Sequence, residues 1–203
     1  MIDQDGRVWM AAAVRGPNNP DFCKKGSDHP SAKAFPLERT NRAIGVLDPK
    51  TMQYKPVDTC FQTHHLQFGY DKDNTLWTSG GGAVVGWLNT KMFLETGDAV
   101  KSQGWTPMVL DTSGDGKRGE YTEPGKPAET GKDRRIEAGL YAVMPNPADG
   151  SVWGTWRANP GAVVRVNPGS DPSNTALTEI FNVPMPGYGP RGGDIDSKGV
   201  VWV

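Results

Sequence analysis

Two adjacent histidines, His64 and His65, are the residues of this chain best suited to proton transfer near neutral pH. The ordinary pKa of imidazole lies close to neutrality, so a histidine serves readily as a general base. Neighbouring residues of a strand point to opposite faces, so we expect at most one of the two to face a common site. The alternative is that they are structural and hold a loop by hydrogen bonds. The third histidine, His29, lies in a proline-rich stretch and is expected to be solvated.

Two further charged residues occupy comparable positions later in the chain. Glu137 and Arg191, like the histidine pair, each stand shortly before a segment that combines a turn with a tryptophan. A carboxylate suits a metal ligand or a proton donor, and a guanidinium suits an anion. The alternatives are a solvent-facing charge for Glu137 and a structural salt bridge for Arg191.

The segment from Asp111 to Glu120 resembles the first part of a calcium-binding loop. Oxygen-bearing side chains alternate at Asp111, Ser113 and Asp115, and glycines between them let the chain wrap a hard cation. The twelfth position of such a loop is Thr122 instead of glutamate, and the candidate substitutes are Glu120 and Glu123. We expect either a Ca²⁺ ion that orders the loop or a solvated Asp-Gly turn.

The chain has two cysteines, Cys23 and Cys60, which lack the CxxC spacing of zinc, redox and haem sites. They form either a disulfide bond or two independent free thiols. A disulfide would tie the segment around Cys23 to the strand start around Cys60, and it would indicate an exported protein.

The overall charge and composition exclude several classes of partner. The formal net charge is -1 at pH 7, so nothing favours nucleic acid or an anionic membrane surface. No apolar run approaches the roughly 20 residues of a membrane span. We expect no signal peptide within the sequence, because residues 1–6 already have a hairpin pattern. The common nucleotide-binding and hydrolase motifs are absent, and we expect no organic cofactor.

An acidic turn followed by an apolar residue and tryptophan recurs along the chain, ending at Trp9, Trp77, Trp153 and Trp202. Asp-Gly and Asp-Asn pairs before an apolar run indicate hairpins, because these residues tolerate a positive φ. With the strands that follow, the unit is a four-stranded antiparallel meander, which is the blade of a β-propeller. We therefore predict an all-β chain of about three to four blades in an incomplete ring, with the tryptophans packed between blades.

The repeats are interrupted and incomplete. Residues 1–203 are expected to form a single propeller segment. The steps between tryptophans exceed a blade of roughly 40 to 50 residues, which predicts inserted loops near residues 16–40 and 93–135. Because an open arc would expose apolar edges, we expect further blades from the same protein or from a partner arc.

The segment Gly45–Pro49 shows the final element of the unit most clearly. Together with the Asp-Gly…Trp hairpins, it resembles the streptogramin lyase (virginiamycin B lyase)-like and NHL-type propellers over most of the chain outside the inserts. The resemblance implies a seven-bladed ring that opens a cyclic lactone peptide by elimination, with a histidine base and Mg²⁺ near the central channel. On this resemblance His65 or His64 matches the base, and Glu137 stands where a Mg²⁺ ligand is expected.

Two functional hypotheses follow, and fold alone does not separate them. The first is a carbon–oxygen lyase for a cyclic ester or polysaccharide-like substrate at the channel mouth. In it His65 or His64 is the base, Glu137 binds a divalent ion and Arg191 binds an oxyanion. The second is a non-catalytic propeller that binds glycans or peptides through its inserts. In both, we expect a secreted or periplasmic protein with a small-molecule, peptide or glycan ligand.

Overall fold

The regular structure of the chain consists mainly of short strands, which are joined by tight turns and longer loops. The structure, a computed structural model, describes residues 1–80 and 82–203. Its strands are, in chain order, β1 (Val8–Ala12), β2 (Ala43–Asp48), β3 (Gln53–Val57), β4 (His65–Phe68), β5 (Thr75–Ser79), β6 (Val84–Asn89), β7 (Gln103–Pro107), β8 (Val109–Leu110), β9 (Tyr121–Thr122), β10 (Asp133–Arg135), β11 (Leu140–Pro145), β12 (Val152–Trp156), β13 (Ala162–Asn167), β14 (Leu177–Asn182), β15 (Asp194–Ile195) and β16 (Val201–Trp202).

The helices are few and short. They are α1 (Pro30–Ala34), α2 (Thr90–Thr96), α3 (Ala99–Ser102) and α4 (Pro172–Thr175), and a 3-10 helix spans Asp21–Cys23. None of the helices in the described ranges has the length and apolar composition needed to cross a bilayer.

Consecutive strands pair with their neighbours in sequence to form antiparallel meanders. The first meander is β1–β2–β3, the second is β4–β5–β6–β7, the third is β11–β12–β13–β14, and β15 and β16 form a hairpin. The third meander continues through β8, β10 and β9 into a seven-stranded sheet, in which β14–β8 and β10–β9 pair in parallel. The prediction of an all-β chain is therefore confirmed, and no sheet among the described strands closes on itself.

One aspartate side chain holds the acidic turn of a hairpin to its tryptophan. In the first hairpin the Asp3 carboxylate accepts the backbone N–H of Arg7 and, at 2.9 Å, the indole N–H of Trp9. In the last hairpin Asp196 accepts the indole N–H of Trp202 at 3.3 Å. Aspartate suits this position because its short carboxylate reaches backbone N–H groups a few residues further on. In these two hairpins the acidic turn and the tryptophan therefore form one hydrogen-bonded unit, whereas the indole N–H of Trp153 donates to the Ser151 hydroxyl at 2.8 Å.

The tryptophans of these hairpins differ in burial. Trp9 is fully buried and Trp77 is 7% exposed, which confirms the predicted packing role for both. Trp202 is 60% exposed, so the packing role does not hold for it. Trp202 lies in β16, whose sheet has two strands in the described part of the chain.

Two hydrophobic clusters join the successive sheets. The first contains Trp9, Phe61 and Trp105 and links the first meander to the second. The second contains Trp77 and Val164 and links the second meander to the third. Burial of large apolar side chains is the main favourable term in folding, so these clusters fix how neighbouring sheets lie against each other.

The first insert, residues 16–40, is packed into the first cluster. The Cys23–Cys60 disulfide that it carries is present, and both cysteines are fully buried. His29 is also buried, because its ring stacks on Trp105 with centroids 4.8 Å apart and its Nε2 lies 3.1 Å from the Val100 carbonyl oxygen. The expectation that His29 is solvated is therefore wrong.

Replacing both cysteines by alanine is expected to lower the free energy of unfolding by about 2–5 kcal/mol. The bond joins residues 37 apart in sequence. Its loss increases the conformational entropy of the unfolded chain and removes the covalent link that holds the buried insert in the folded state. Urea denaturation followed by tryptophan fluorescence measures the change, with the oxidised wild-type protein as reference. An unaltered unfolding midpoint in the variant would contradict this structural role.

Candidate functional site

The predicted histidine pair lies at a small cavity between the first strands of the second and third meanders. The cavity has a volume of about 110 Å³. Its lining consists of His64, His65, Gly80, Gly139, Leu140, Tyr141 and Arg157. The four polar or charged side chains among these, His64, His65, Tyr141 and Arg157, are here called the His–Tyr–Arg cluster.

Equivalent strand positions bring His65 and Tyr141 together. His65 on β4 pairs with Ser79 on β5, two residues after the tryptophan of that hairpin. Tyr141 on β11 pairs with Thr155 on β12, again two residues after the tryptophan. Because β4 and β11 pack against each other, the two side chains meet across the junction of the two sheets.

A bulge in β11 places Tyr141 at this position. The pairing of β11 with β12 shifts between Tyr141 and Met144, so the strand holds one more residue here than its partner. Ala142, within the bulge, has a φ of 68°, which is unfavourable for a residue with a Cβ. The Ser79 hydroxyl donates to the Ala142 carbonyl at 2.9 Å and holds the bulge from the neighbouring sheet. The backbone carbonyl of Ser79 accepts the backbone N–H of His64 at 2.7 Å.

The rings of the cluster pack closely. The ring centroids of His64 and His65 are 4.4 Å apart, and His65 meets Tyr141 edge-on, also at 4.4 Å. The Arg157 guanidinium lies 4.6 Å from the Tyr141 ring centroid, which is a cation–π distance. Both histidines line the cavity, contrary to the expectation that at most one would. The reason is that β4 begins at His65, so His64 precedes the strand and escapes its alternation.

The surroundings of His65 disfavour its protonated form. Burial lowers the pKa of His65, and electrostatic repulsion from His64 and Arg157 lowers it further. Its Nε2 is buried and has no hydrogen-bond partner among the described residues. A buried polar atom without a partner is costly, so this nitrogen is an unsatisfied group next to the cavity lining.

Glu137 and Arg191, the other predicted site residues, do not line the cavity. The Glu137 carboxylate lies 3.3 Å from Arg135, whose Nε also donates to Glu123 at 2.7 Å. Arg191 is exposed just before β15. Its neighbour Gly192 donates to Thr155 near the edge of the site. The catalytic role of Arg191 and the metal-binding role of Glu137 stay predictions.

Tyr141 and Arg157 are the members of the cluster that sequence reasoning missed. Met144 on β11 pairs with Trp153 on β12. In a regular strand without a bulge, Ala142 would then pair with Thr155, whereas in the structure Tyr141 does. Arg157 directly follows β12, so it lies outside the strand starts where a site was expected.

The cluster does not suit a magnesium ion. Mg²⁺ prefers oxygen ligands, above all carboxylates, whereas the cavity offers two imidazoles, a phenol and a guanidinium. In residues 1–80 and 82–203 no group of three or more His, Cys, Asp or Glu side chains converges as a metal site would. Glu137 and the two histidines therefore do not form a common magnesium site, and the binding of Mg²⁺ by Glu137 stays a separate prediction.

The candidate calcium loop is folded around hydrogen bonds of its own. Asp111 accepts the backbone N–H groups of Gly114 and Gly116 at 2.7 and 2.8 Å. It also accepts the Ser113 hydroxyl at 3.2 Å. The Asp115 carboxylate accepts a backbone N–H from its own loop at 2.8 Å.

The rest of the loop is anchored from outside. Buried Asp133 accepts the backbone N–H of Gly119 at 2.7 Å, and the Arg118 guanidinium reaches Thr106 at 2.9 Å. Glu120 is exposed, with Lys132 at 3.8 Å. These carboxylates are engaged with the protein itself, and the prediction of Ca²⁺ stays a prediction.

Comparison with known proteins does not assign the chain to a family. No protein-family model matches it, and no curated protein is similar enough in sequence to count as a relative.

The imidazole of His65 is expected to titrate below its ordinary pKa of about 6.5. Folding favours the neutral form of the ring, because the pKa is lower in the folded state than in the unfolded state. The contribution of His65 to the free energy of unfolding is therefore fully present above the unfolded-state pKa. It is lost as the pH falls through the folded-state pKa. Replacing Arg157 by glutamine should raise the pKa of His65, because a nearby positive charge is removed. NMR titration measures both effects.

The matched control for this titration is Arg134→Gln, which removes an exposed arginine from β10, away from the cavity. It should leave the His65 titration unchanged. A His65 pKa at or above the ordinary value in the wild type, or equal effects of the two variants, would contradict the described electrostatics.

Replacing Ser79 by alanine is expected to destabilise the protein by about 1 kcal/mol, because the Ala142 carbonyl loses its donor. The His65 titration should also move, since the bulge then holds Tyr141 less firmly against the ring. Urea unfolding and NMR measure the two effects. Ser197→Ala at an exposed turn is the control. Equal stability and equal titration in both variants would disprove a role for the Ser79 contact.

Proposed function

We propose that this chain is part of a β-propeller whose His–Tyr–Arg cluster forms the active site of a carbon–oxygen lyase. The propeller arrangement is supported by the meanders, each of which follows the chain order. Successive sheets approach each other through their first strands, since β11 packs against both β4 and β15. First strands gathered towards one axis are typical of propeller blades.

The position of His65 in the lining of the cavity is the observation that carries the lyase proposal. A neutral imidazole at a cavity is suited to remove a proton from carbon beside a carbonyl group. Arg157, held over Tyr141, stabilises the negative charge that then develops on the carbonyl oxygen. Arg157 thus takes the anion-holding role that the sequence suggested for Arg191.

The step balances without an oxidant or reductant. The imidazole of His65 takes the proton, and the electron pair of the broken C–H bond forms a carbon–carbon double bond. The C–O bond on the adjacent carbon breaks, and the leaving oxygen takes a proton from solvent. This chemistry agrees with the resemblance of the hairpins to streptogramin lyase-like propellers, so we propose a cyclic ester or a polysaccharide-like compound as substrate.

A second candidate function is non-catalytic binding of a glycan or peptide. A groove of about 510 Å³ lies between the second and third meanders and is lined in part by Tyr70, Trp77, Pro145 and Pro147. Tyr70 is 65% exposed, and exposed aromatic rings provide binding surface for sugars and proline-containing segments. This groove, not the inserts, is the surface that favours the binding function.

The disulfide supports a secreted or periplasmic location. Disulfide bonds persist in oxidising compartments and are rare in the reducing cytosol. Both Cys23 and Cys60 are buried in the first cluster, where the bond also fastens the first insert.

Incubating the protein with cyclic ester peptides and with acidic oligosaccharides tests the lyase proposal. We expect alkene formation, detected by ultraviolet absorbance and mass spectrometry, from at least one compound. His65→Gln should lower the rate by about 100-fold or more, because it removes the base. Tyr70→Ala is the matched control and should retain the rate. Absence of alkene from every compound, or an unaffected rate in His65→Gln, would rule out this function.

A further inference from the structure

The His–Tyr–Arg cluster has an excess of positive charge. No carboxylate lines the cavity in the part of the chain that the structure describes, whereas Arg157 carries a full charge there. Four other arginines of the described residues, Arg7, Arg15, Arg135 and Arg165, are held in ion pairs. Arg157 is exposed and, like Arg39, Arg42, Arg118, Arg134 and Arg191, has no ion pair within the described ranges, but it is the one that lines this cavity. An arginine without an acidic partner at a cavity is a feature that an anionic ligand would satisfy.

The guanidinium of Arg157 lies over the Tyr141 ring, with its central carbon 4.6 Å from the ring centroid. Its N–H groups make no ion pair within the described ranges. A planar guanidinium presents parallel N–H donors that match the two oxygens of a carboxylate. Stacking reduces the conformational freedom that binding would otherwise remove.

The size of the cavity restricts what enters. A volume of about 110 Å³ admits a small group but not a whole sugar ring or peptide unit. Only the reacting end of a larger molecule therefore reaches His65, and the rest must lie outside, over the exposed His64.

We propose that the substrate carries a carboxylate on the carbon that loses its proton, and that Arg157 binds this carboxylate. The inference rests on the proposed lyase function. As the imidazole of His65 takes the proton, negative charge moves onto the carboxylate and then into the new double bond as the C–O bond breaks. Arg157 neutralises that transient charge, which a free carboxylate otherwise makes unfavourable. The substrate class is thus an acid with an oxygen leaving group one carbon away, as in an oligosaccharide of sugar acids.

Binding of acetate to the full chain tests this inference without any turnover. Acetamide is the uncharged probe of the same shape, and inorganic phosphate is the competing anion. We expect acetate to shift the His65 imidazole signals in a saturable way, and acetamide to bind at least about tenfold more weakly. Arg157→Gln should weaken acetate binding by about 10- to 100-fold, whereas Arg134→Gln should not.

The outcomes separate this inference from the lyase proposal. Equal binding of acetate and acetamide, tighter binding of phosphate than of acetate, or unchanged acetate binding by Arg157→Gln would overturn the carboxylate site. Circular dichroism of each variant excludes misfolding as the cause of lost binding. Acetate binding as expected without alkene formation would support the carboxylate site while the lyase function fails.

Discussion

The hydrogen bond from the Ser79 hydroxyl to the Ala142 carbonyl is the contact on which the candidate site depends. It links the second meander to a bulge in the third, and the bulge sets Tyr141 opposite Thr155. Tyr141 in turn packs against His65 and carries Arg157 on its face. A residue with an unfavourable φ at such a point is typical of functional sites, where surrounding structure maintains local strain.

The rest of the fold supplies the rigidity that this contact needs. Aspartate-capped hairpins set the strands, and two hydrophobic clusters fix the sheets against each other. The first insert adds to this rigidity, because His29 stacks on Trp105 and the disulfide fastens the insert to the start of the second meander. Side chains on strands held in this way are placed more reproducibly than side chains on mobile loops.

The sequence predicted the parts of the structure that follow local patterns. The all-β class followed from the hairpin turns, and the disulfide was one of two stated alternatives for Cys23 and Cys60. The histidine pair also lies where the repeat placed it, at the start of a first strand. Tyr141 and Arg157 were missed because a bulge changes which residue faces the site, and its cause is a contact from another sheet. The burial of His29 likewise depends on a distant partner, Trp105.

The central claim is that the bulge brings the ring of Tyr141 against that of His65. The most direct measurement is the nuclear Overhauser effect between the ring protons of these two residues in the folded protein. A ring-centroid distance of 4.4 Å predicts strong cross-peaks between them. Absence of these cross-peaks, with Ala142 instead found opposite Thr155, would show a regular strand and would contradict the account.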